Sequence, residues 1–87
     1  MDKIDEKTLK KMAMTLEPAV RVGKNGLTDS VITEIDKHLK KKKIIKIKML
    51  SAFVGDNDKK EIAKQIAEKT RSKLVQAVGF TITIYRP

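Results

Sequence analysis

The chain contains the segment Val20-Arg21-Val22-Gly23-Lys24-Asn25-Gly26-Leu27-Thr28-Asp29, which predicts more of the structure than any other. Its β-branched start predicts a short strand, its two glycines predict a tight turn, and Thr28 followed by Asp29 is typical of a capped helix start. Such a turn presents backbone N–H groups and a helix N-terminus to solvent, which suits a phosphate. The glycines also fit a plain turn that binds nothing, because glycine adopts unusual backbone angles at no steric cost.

The chain is small and basic. Its 87 residues suffice for one domain with a modest core, and a content of 40% hydrophobic and 36% charged residues is too apolar for a disordered segment. The net charge is +9, yet residues 1–17 are neutral, so the positive charge belongs to the body of the domain from Arg21 onward. This distribution favours a nucleic acid as the partner.

Several classes of function find no support in the composition. The chain has no cysteine, and its one histidine, His38, is better interpreted as a surface residue than as a base or a metal ligand. We therefore expect no enzyme activity, no metal and no cofactor. No apolar run reaches the roughly 18 residues of a membrane helix. Residues 1–6 lack the apolar core of a signal peptide, so we expect a cytoplasmic protein without membrane contact.

Glycines and prolines fall between periodic segments and mark the element boundaries. Helices are predicted over residues 7–15, over 29–43 and from 59 to about 71, with Asp5, Thr28 and Asp58 as N-caps. Ile4 and Leu9 have the spacing of a hydrophobic staple, and Asp58 and Glu61 that of a capping box. Strands are predicted over residues 19–22, 45–49, 74–78 and 80–85. The chain is thus one α/β domain, residues 1–87, in the order α-β-α-β-α-β-β.

The strand patterns also predict the sheet. In Ile45-Lys46-Ile47-Lys48-Met49 the apolar side chains share one face, which indicates a strand buried on one side. The strand, helix and second strand of residues 19–50 predict a right-handed parallel crossover, and the hairpin at Gly79 adds an antiparallel pair. We expect a mixed four-stranded sheet with helices mainly on one face. The position of the first helix stays open.

The same alternation predicts which side chains of the closing strand face the core and which face solvent. Residues expected to face inward are Phe80, Ile82 and Ile84. Residues expected to face outward, beside Lys46 and Lys48, are Thr81, Thr83 and Tyr85. With so few aromatic residues a multi-aromatic platform for bases is not expected, and Tyr85 is the one candidate for stacking on a base.

Three blocks of the sequence resemble the CRM domain, the chloroplast RNA-splicing and ribosome-maturation domain typified by bacterial YhbY-like proteins. The first block is Leu16-Glu17-Pro18-Ala19-Val20. The second is Val22-Gly23-Lys24-Asn25-Gly26-Leu27-Thr28, followed further along by Ile44-Ile45-Lys46-Ile47-Lys48. The third is Gly79-Phe80-Thr81-Ile82-Thr83-Ile84-Tyr85-Arg86-Pro87. Together the blocks span nearly the whole chain.

The resemblance implies a fold like the C-terminal domain of bacterial translation initiation factor three. It also implies RNA binding through the Gly-x-x-Gly loop in the manner of KH domains, here residues Gly23, Lys24, Asn25 and Gly26. Stand-alone bacterial members are associated with precursors of the large ribosomal subunit, and plant members with intron splicing. Many bacterial members carry a short basic tail, and contacts by such a tail are not expected here because the sequence stops at Pro87.

The hypothesis is a module, favoured as a monomer, that binds structured RNA, with ribosomal RNA or a precursor of the large subunit as the expected partner. Lys24 and Arg21 would supply charge, Asn25 would bind a 2′-OH or a base edge, and the glycines would allow close approach. The full set of predicted RNA-binding residues is Arg21, Gly23, Lys24, Asn25, Gly26, Thr28, Lys40, Lys41, Lys42, Lys43, Lys46, Lys48 and Arg86. A DNA-binding architectural protein and a module that docks on an acidic protein remain alternatives.

Overall fold

Eight elements make up residues 5–87, the part of the chain that the computed structural model describes. In chain order they are α1 Glu6–Thr15, β1 Pro18–Val22, α2 Asp29–Lys42, β2 Ile44–Met49, α3 Ser51–Val54, α4 Lys59–Lys69, β3 Lys73–Val78 and β4 Thr81–Tyr85. The predicted order is confirmed, with boundaries shifted by a residue or two. The addition is α3, a single turn too short to display a hydrophobic period in the sequence.

The four strands form one mixed sheet in the order β1-β2-β4-β3. β1 and β2 are parallel, with α2 as the crossover between them, and β4 runs antiparallel to both β2 and β3. The register places Arg21 opposite Lys48, and Lys48 opposite Thr81. The predicted parallel pairing of β1 with β2 and the predicted antiparallel closing hairpin are therefore both confirmed.

The main core lies between the sheet and the helices α2 and α4. Each helix turns one apolar stripe inward, as its sequence period predicts. The fully buried members include Val22, Ile35, Ile47, Ile66 and Ile82. Leu27 packs against this core from the loop that follows β1, and Phe53 packs against it from α3, which follows β2. The segments that follow these two strands are thus anchored to the core by apolar side chains.

The opposite face of the sheet is partly covered by α1, which packs on β3 and β2. A smaller apolar cluster of Leu9, Ile44, Val75 and Tyr85 holds it there. Two predictions are corrected by this placement. Thr83 and Tyr85, expected to face solvent, are only 2% and 6% exposed. Tyr85 is therefore not placed to stack on a base.

Phe80 is a third correction, because it was expected in the core and is 41% exposed. Gly79 has a φ of +58°, and the turn that it begins extends through Phe80, so β4 starts only at Thr81. The inside–outside alternation of the strand consequently does not reach Phe80. Its ring instead carries the ammonium group of Lys59, 4.3 Å from the ring centroid.

The predicted N-caps are all confirmed. Asp5 Oδ1 accepts the N–H of Thr8 at 2.8 Å, and Thr28 Oγ1 accepts that of Val31 at 3.2 Å. Asp58 Oδ1 accepts the N–H of Lys60 at 2.9 Å, one position before the partner that a capping box would use. Ile4, the outer half of the predicted staple, lies outside the described residues.

Candidate nucleic-acid interface

The Gly-x-x-Gly turn lies where the parallel strands β1 and β2 end. We call this end of the sheet the loop edge, made of Gly23–Thr28, Leu50, α3, Lys59 and Phe80. The N–H of Gly26 bonds to the carbonyl of Gly23 at 2.9 Å, so Lys24 and Asn25 form the exposed tip of a closed turn. The N–H of Thr28 bonds to the carbonyl of Gly26 at 3.1 Å and leads directly into α2.

The two glycines meet different requirements. Gly26 has a φ of +73°, which favours glycine, and a Cβ there would lie 3.6 Å from the Phe53 ring. Gly23 does not have a left-handed φ, and a Cβ there would touch only the end of the Leu50 side chain, at 3.4 Å. The fold thus needs a glycine at position 26 far more than at position 23.

The loop stands on a rigid base. The N–H of Leu50 bonds to the carbonyl of Val22 at 2.9 Å, which continues the β1–β2 pairing up to the first glycine. Phe53 packs against the core beneath Gly26. The loop tip is therefore held in place without using the side chains of Lys24 or Asn25.

The start of α2 adds donors and one opposing charge to the loop edge. The Thr28 hydroxyl oxygen caps Val31, which leaves its own proton available to donate. The N–H groups of Asp29 and Ser30 have no partner inside the helix, because the first turn of any helix lacks them. The exposed Asp29 carboxylate disfavours an anion directly on the helix axis, so a phosphate fits better on the Lys24 side of the loop.

Cations extend from the loop edge onto the face of the sheet that α1 leaves open. Arg21 and Lys48 are both exposed and are partners in the β1–β2 register. Lys46 is half-buried and lies one step further down β2. It lines a groove of about 310 Å³ together with Met14, Gln76 and other residues of α1, β3 and β4. The predicted sites Arg21 and Lys48 are thus brought together next to the loop, with Lys46 behind them.

Sequence reasoning missed Lys59 and Phe80 at the loop edge. The N–H of Met49 bonds to the Phe80 carbonyl at 2.7 Å, so Phe80 follows Leu50 and the loop along the same edge of the sheet. Strands lie about 4.8 Å apart, which places Phe80 about 10 Å from Gly23. The glycine before Phe80 was the available signal, because a hairpin turn exposes the residues at its tip.

The remaining predicted residues lie at the opposite end of the domain. We call this end the lysine edge, made of Lys40–Lys43, Lys69, Arg71 and Arg86. α2 has 14 residues, so at about 1.5 Å per residue its two ends lie about 21 Å apart. Lys40–Lys43 are all exposed at its far end. The predicted site residues are therefore divided between two surfaces rather than joined in one.

Arg86 at the lysine edge already has structural partners. Its Nη1 donates to Thr70 O at 2.9 Å and lies 2.8 Å from Asp36 Oδ1, and its Nη2 donates to Asp36 O at 3.3 Å. The hydrogen bond from Arg86 holds the pKa of Asp36 below its ordinary value of 3.8. The prediction that Arg86 binds RNA stays a prediction, and its guanidinium has fewer donors left for that purpose.

Within residues 5–87 no group of three or more His, Cys, Asp or Glu side chains is arranged to hold a metal ion. His38 is half-buried on α2. No helix in this part of the chain has the length and apolar character needed to cross a membrane.

Comparison with known proteins matches the CRS1 / YhbY (CRM) domain to residues 1–86. A protein of Methanocaldococcus jannaschii named as a probable RNA-binding protein is 40% identical over 82 residues, which cover 94% of this chain and 60% of the relative's length. The probable RNA-binding protein YqeI of Bacillus subtilis is 35% identical over 78 residues, 90% of this chain and 79% of the relative. The solution structure of a hypothetical Staphylococcus aureus protein superposes with a TM-score of 0.79 at 36% identity, covering 94% of this chain and 83% of that one.

Proposed function

The chain belongs to the CRS1 / YhbY (CRM) domain family, and from that membership we propose that it binds structured RNA through the loop edge. Relatives that cover most of the chain are named as probable RNA-binding proteins. The net charge of +9 supplies the attraction for phosphates that such binding needs. The loop edge is the surface on which backbone donors, exposed cations and an exposed aromatic ring occur together.

The proposal rests mainly on one observation: the fold supports the loop tip rigidly without using the side chains of the tip itself. Leu50 and Phe53 hold the turn from below, while Lys24 and Asn25 project from it. At Gly23 the fold makes little demand for glycine, so the missing Cβ leaves room for a sugar or phosphate to approach the backbone. In the proposed complex Lys24 neutralises a phosphate, and Asn25 bonds to a 2′-OH or a base edge.

The neighbouring side chains extend this contact along the edge. Arg21 and Lys48 bind phosphates on the sheet side of the loop, and the hydroxyl proton of Thr28 binds one at the start of α2. Phe80 offers a ring on which one base stacks, and Lys59 adds positive charge beside it. This arrangement binds mainly the RNA backbone and needs no fixed sequence.

The proposed setting is ribosome assembly in the cytoplasm, with ribosomal RNA or a precursor of the large subunit as the RNA. This part of the proposal rests on the family resemblance. It is tested by crosslinking in living cells followed by sequencing of the attached RNA. Ribosomal RNA as the main product supports the proposal, and its absence from the crosslinked RNA contradicts it.

The loop is tested with the double variant Lys24→Glu/Asn25→Asp. Because both side chains project from the turn, the melting temperature should stay nearly unchanged. Binding to a structured RNA hairpin, measured by fluorescence anisotropy, should be lost, since the variant places negative charge at the phosphate contact.

The matched control is Lys7→Glu/Lys11→Gln, which lowers the net charge by the same amount on exposed positions of α1. It should retain most of the affinity. If the loop variant binds as well as this control, the loop is not the site. Stronger binding to duplex DNA than to the hairpin would favour the architectural alternative, and retention on ribosomal particles only after ribonuclease treatment would favour a protein partner.

A further inference from the structure

The lysine edge is a second cationic surface, separate from the proposed RNA site. A groove of about 650 Å³ lies between α2, from Ile32 to Lys40, and the end of α4. Its lining includes Lys40, Lys69, Arg71 and Arg86, with Asp36 held by Arg86 and Lys40. Lys41, Lys42 and Lys43 are exposed beside it. The cations of two different helix ends and of the last strand thus converge on one edge.

Both helices end there in a conformation that usually selects glycine. Lys43 follows α2 with a φ of +66°, and Arg71 follows α4 with a φ of +54°. The N–H of Arg71 bonds to Glu68 O at 3.1 Å, and the N–H of the next residue, Ser72, bonds to Ala67 O at 2.9 Å. These are the bonds of a Schellman motif, in which glycine is the common residue at the left-handed position.

A cation at these two positions is not needed for the helix ends. Cations near a helix C-terminus stabilise the helix through its dipole. The last turn of α2 already has Lys40, Lys41 and Lys42 for this purpose, and the last turn of α4 has Lys69. A side chain in the left-handed conformation is strained relative to glycine. Unfavourable backbone conformations that persist in a fold are found preferentially at functional positions.

The distance between the two edges prevents them from acting as one electrostatic site. Lys41, Lys42 and Lys43, which lie at the end of α2, are separated from the loop edge by the length of that helix, about 21 Å. The Debye length at physiological ionic strength is about 8 Å, so exposed charges at one edge are largely screened from the other. Each edge attracts phosphates independently.

We infer that the lysine edge binds a second RNA segment, so that one molecule of this protein bridges two RNA segments. The inference rests on the proposed function, which assigns the first segment to the loop edge. The second segment is held by phosphate contacts to Lys41, Lys42, Lys43 and Arg71 and has no required sequence. The protein would therefore hold two parts of a folded RNA at a fixed separation.

Bridging is tested with two preparations of one RNA hairpin, one carrying a donor fluorophore and the other an acceptor. Energy transfer should rise as protein is added and fall again at excess protein, because each hairpin then has its own molecule. Binding of a single labelled hairpin is followed in parallel by anisotropy. Binding without energy transfer would overturn the bridging inference and leave the proposed function intact, whereas absence of any binding would remove both.

The lysine edge is tested with Lys41→Gln/Lys42→Gln/Arg71→Gln, and the matched control is Lys7→Gln/Lys10→Gln/Lys11→Gln on α1. The lysine-edge variant should lose energy transfer by about tenfold relative to the control, while the affinity for one hairpin differs little between the two. Equal energy transfer in the two variants would overturn the inference. So would a dimeric wild-type protein in sedimentation without RNA, because a dimer with one site per chain also bridges.

A second variant separates binding from folding. Lys43→Gly/Arg71→Gly removes two cations and also relieves two left-handed side chains, so its melting temperature should equal or exceed that of the wild type. Energy transfer should nevertheless fall. A lowered melting temperature with unchanged energy transfer would show that these cations serve the fold, and it would contradict the inference.

Discussion

The guanidinium of Arg86 lies 2.8 Å from the carboxylate of Asp36, and this contact joins the end of β4 to the middle of α2. The same guanidinium donates to Thr70 O, and the backbone N–H of Arg86 bonds to Lys43 O at 2.8 Å. Arg86 is 50 residues from Asp36 and 16 from Thr70 in sequence. Arg86 therefore connects α2 and α4, the two helices of the main core, to the last strand of the sheet.

Replacing Arg86 should lower stability. Arg86→Ala removes charge-assisted bonds at a half-buried position, which corresponds to a fall in melting temperature of about 5 °C for a domain of this size. Arg86→Lys should recover only part of this loss, because an ammonium group cannot reproduce the forked geometry. Thermal melts followed by circular dichroism measure both, and an unchanged melting temperature in Arg86→Ala would show that the contact does not contribute.

The same contact predicts a dependence on pH. Because the folded pKa of Asp36 is depressed, its ionised form stabilises the fold above its ordinary pKa of 3.8, and this contribution is lost as the pH falls through the lower folded pKa. The melting temperatures of the wild type and Asp36→Asn should thus differ by a constant amount from about pH 5 to pH 8 and converge in acid. The Thr8 N–H also lowers the pKa of Asp5, but Asp5 is present in both proteins, so its contribution cancels in the difference between their melting temperatures. A difference that persists unchanged into acid would contradict the assignment.

The local elements of this fold could be predicted from the sequence, whereas features that depend on long-range packing could not. The alternation in residues 45–49 and the apolar stripe of α4 produced correct elements, because local patterns decide which face of an element is buried. Thr83 and Tyr85 were assigned to solvent because only the docking of α1, a long-range event, buries them. The separation of Lys40–Lys43 from the loop, by contrast, follows from the length of α2, which the sequence predicted. The sequence did not show that Lys69, Arg71 and Arg86 line a groove with Lys40, because only the tertiary fold brings these residues together.

The two loop glycines should respond differently to a methyl group. Gly26→Ala should lower stability by about 1 kcal/mol, because its φ of +73° is unfavourable for a side chain and Phe53 lies beneath it. Gly23→Ala should fold with nearly wild-type stability and bind RNA more weakly, since the added methyl occupies the space of the approaching backbone. Melting curves and anisotropy on the same samples check both. Full RNA affinity in a folded Gly23→Ala would show that nothing approaches the loop closely at that position.

Phe80 should contribute through its ring rather than through its apolar area. Base stacking on an aromatic side chain contributes about 1–3 kcal/mol, so Phe80→Leu should weaken RNA binding about tenfold while Phe80→Tyr retains it. The exposed neighbour Val78 serves as control, and Val78→Ala should have little effect. If Leu and Tyr at position 80 bind equally well, no base stacks there.

Asp29 should act against RNA binding. Its carboxylate lies in the first turn of α2, where it favours the helix but repels phosphate. Asp29→Asn should therefore raise the affinity for an RNA hairpin several-fold while lowering the melting temperature slightly. Isothermal titration at two salt concentrations measures the effect, which should shrink as salt is added. Weaker binding by this variant would place Asp29 among the contacts that RNA needs.

The most direct test of the loop edge as the primary RNA site is an amide NMR titration of the wild-type protein with one unlabelled RNA hairpin. The first and largest shifts should fall on the loop edge, with the exposed face of α1 unchanged. The amides expected to shift first are those of Gly23, Lys24, Asn25, Gly26 and Thr28, followed by those of Lys48 and Phe80. If the loop amides do not shift at saturation while those of α1 or another surface do, the loop edge is not the primary RNA site.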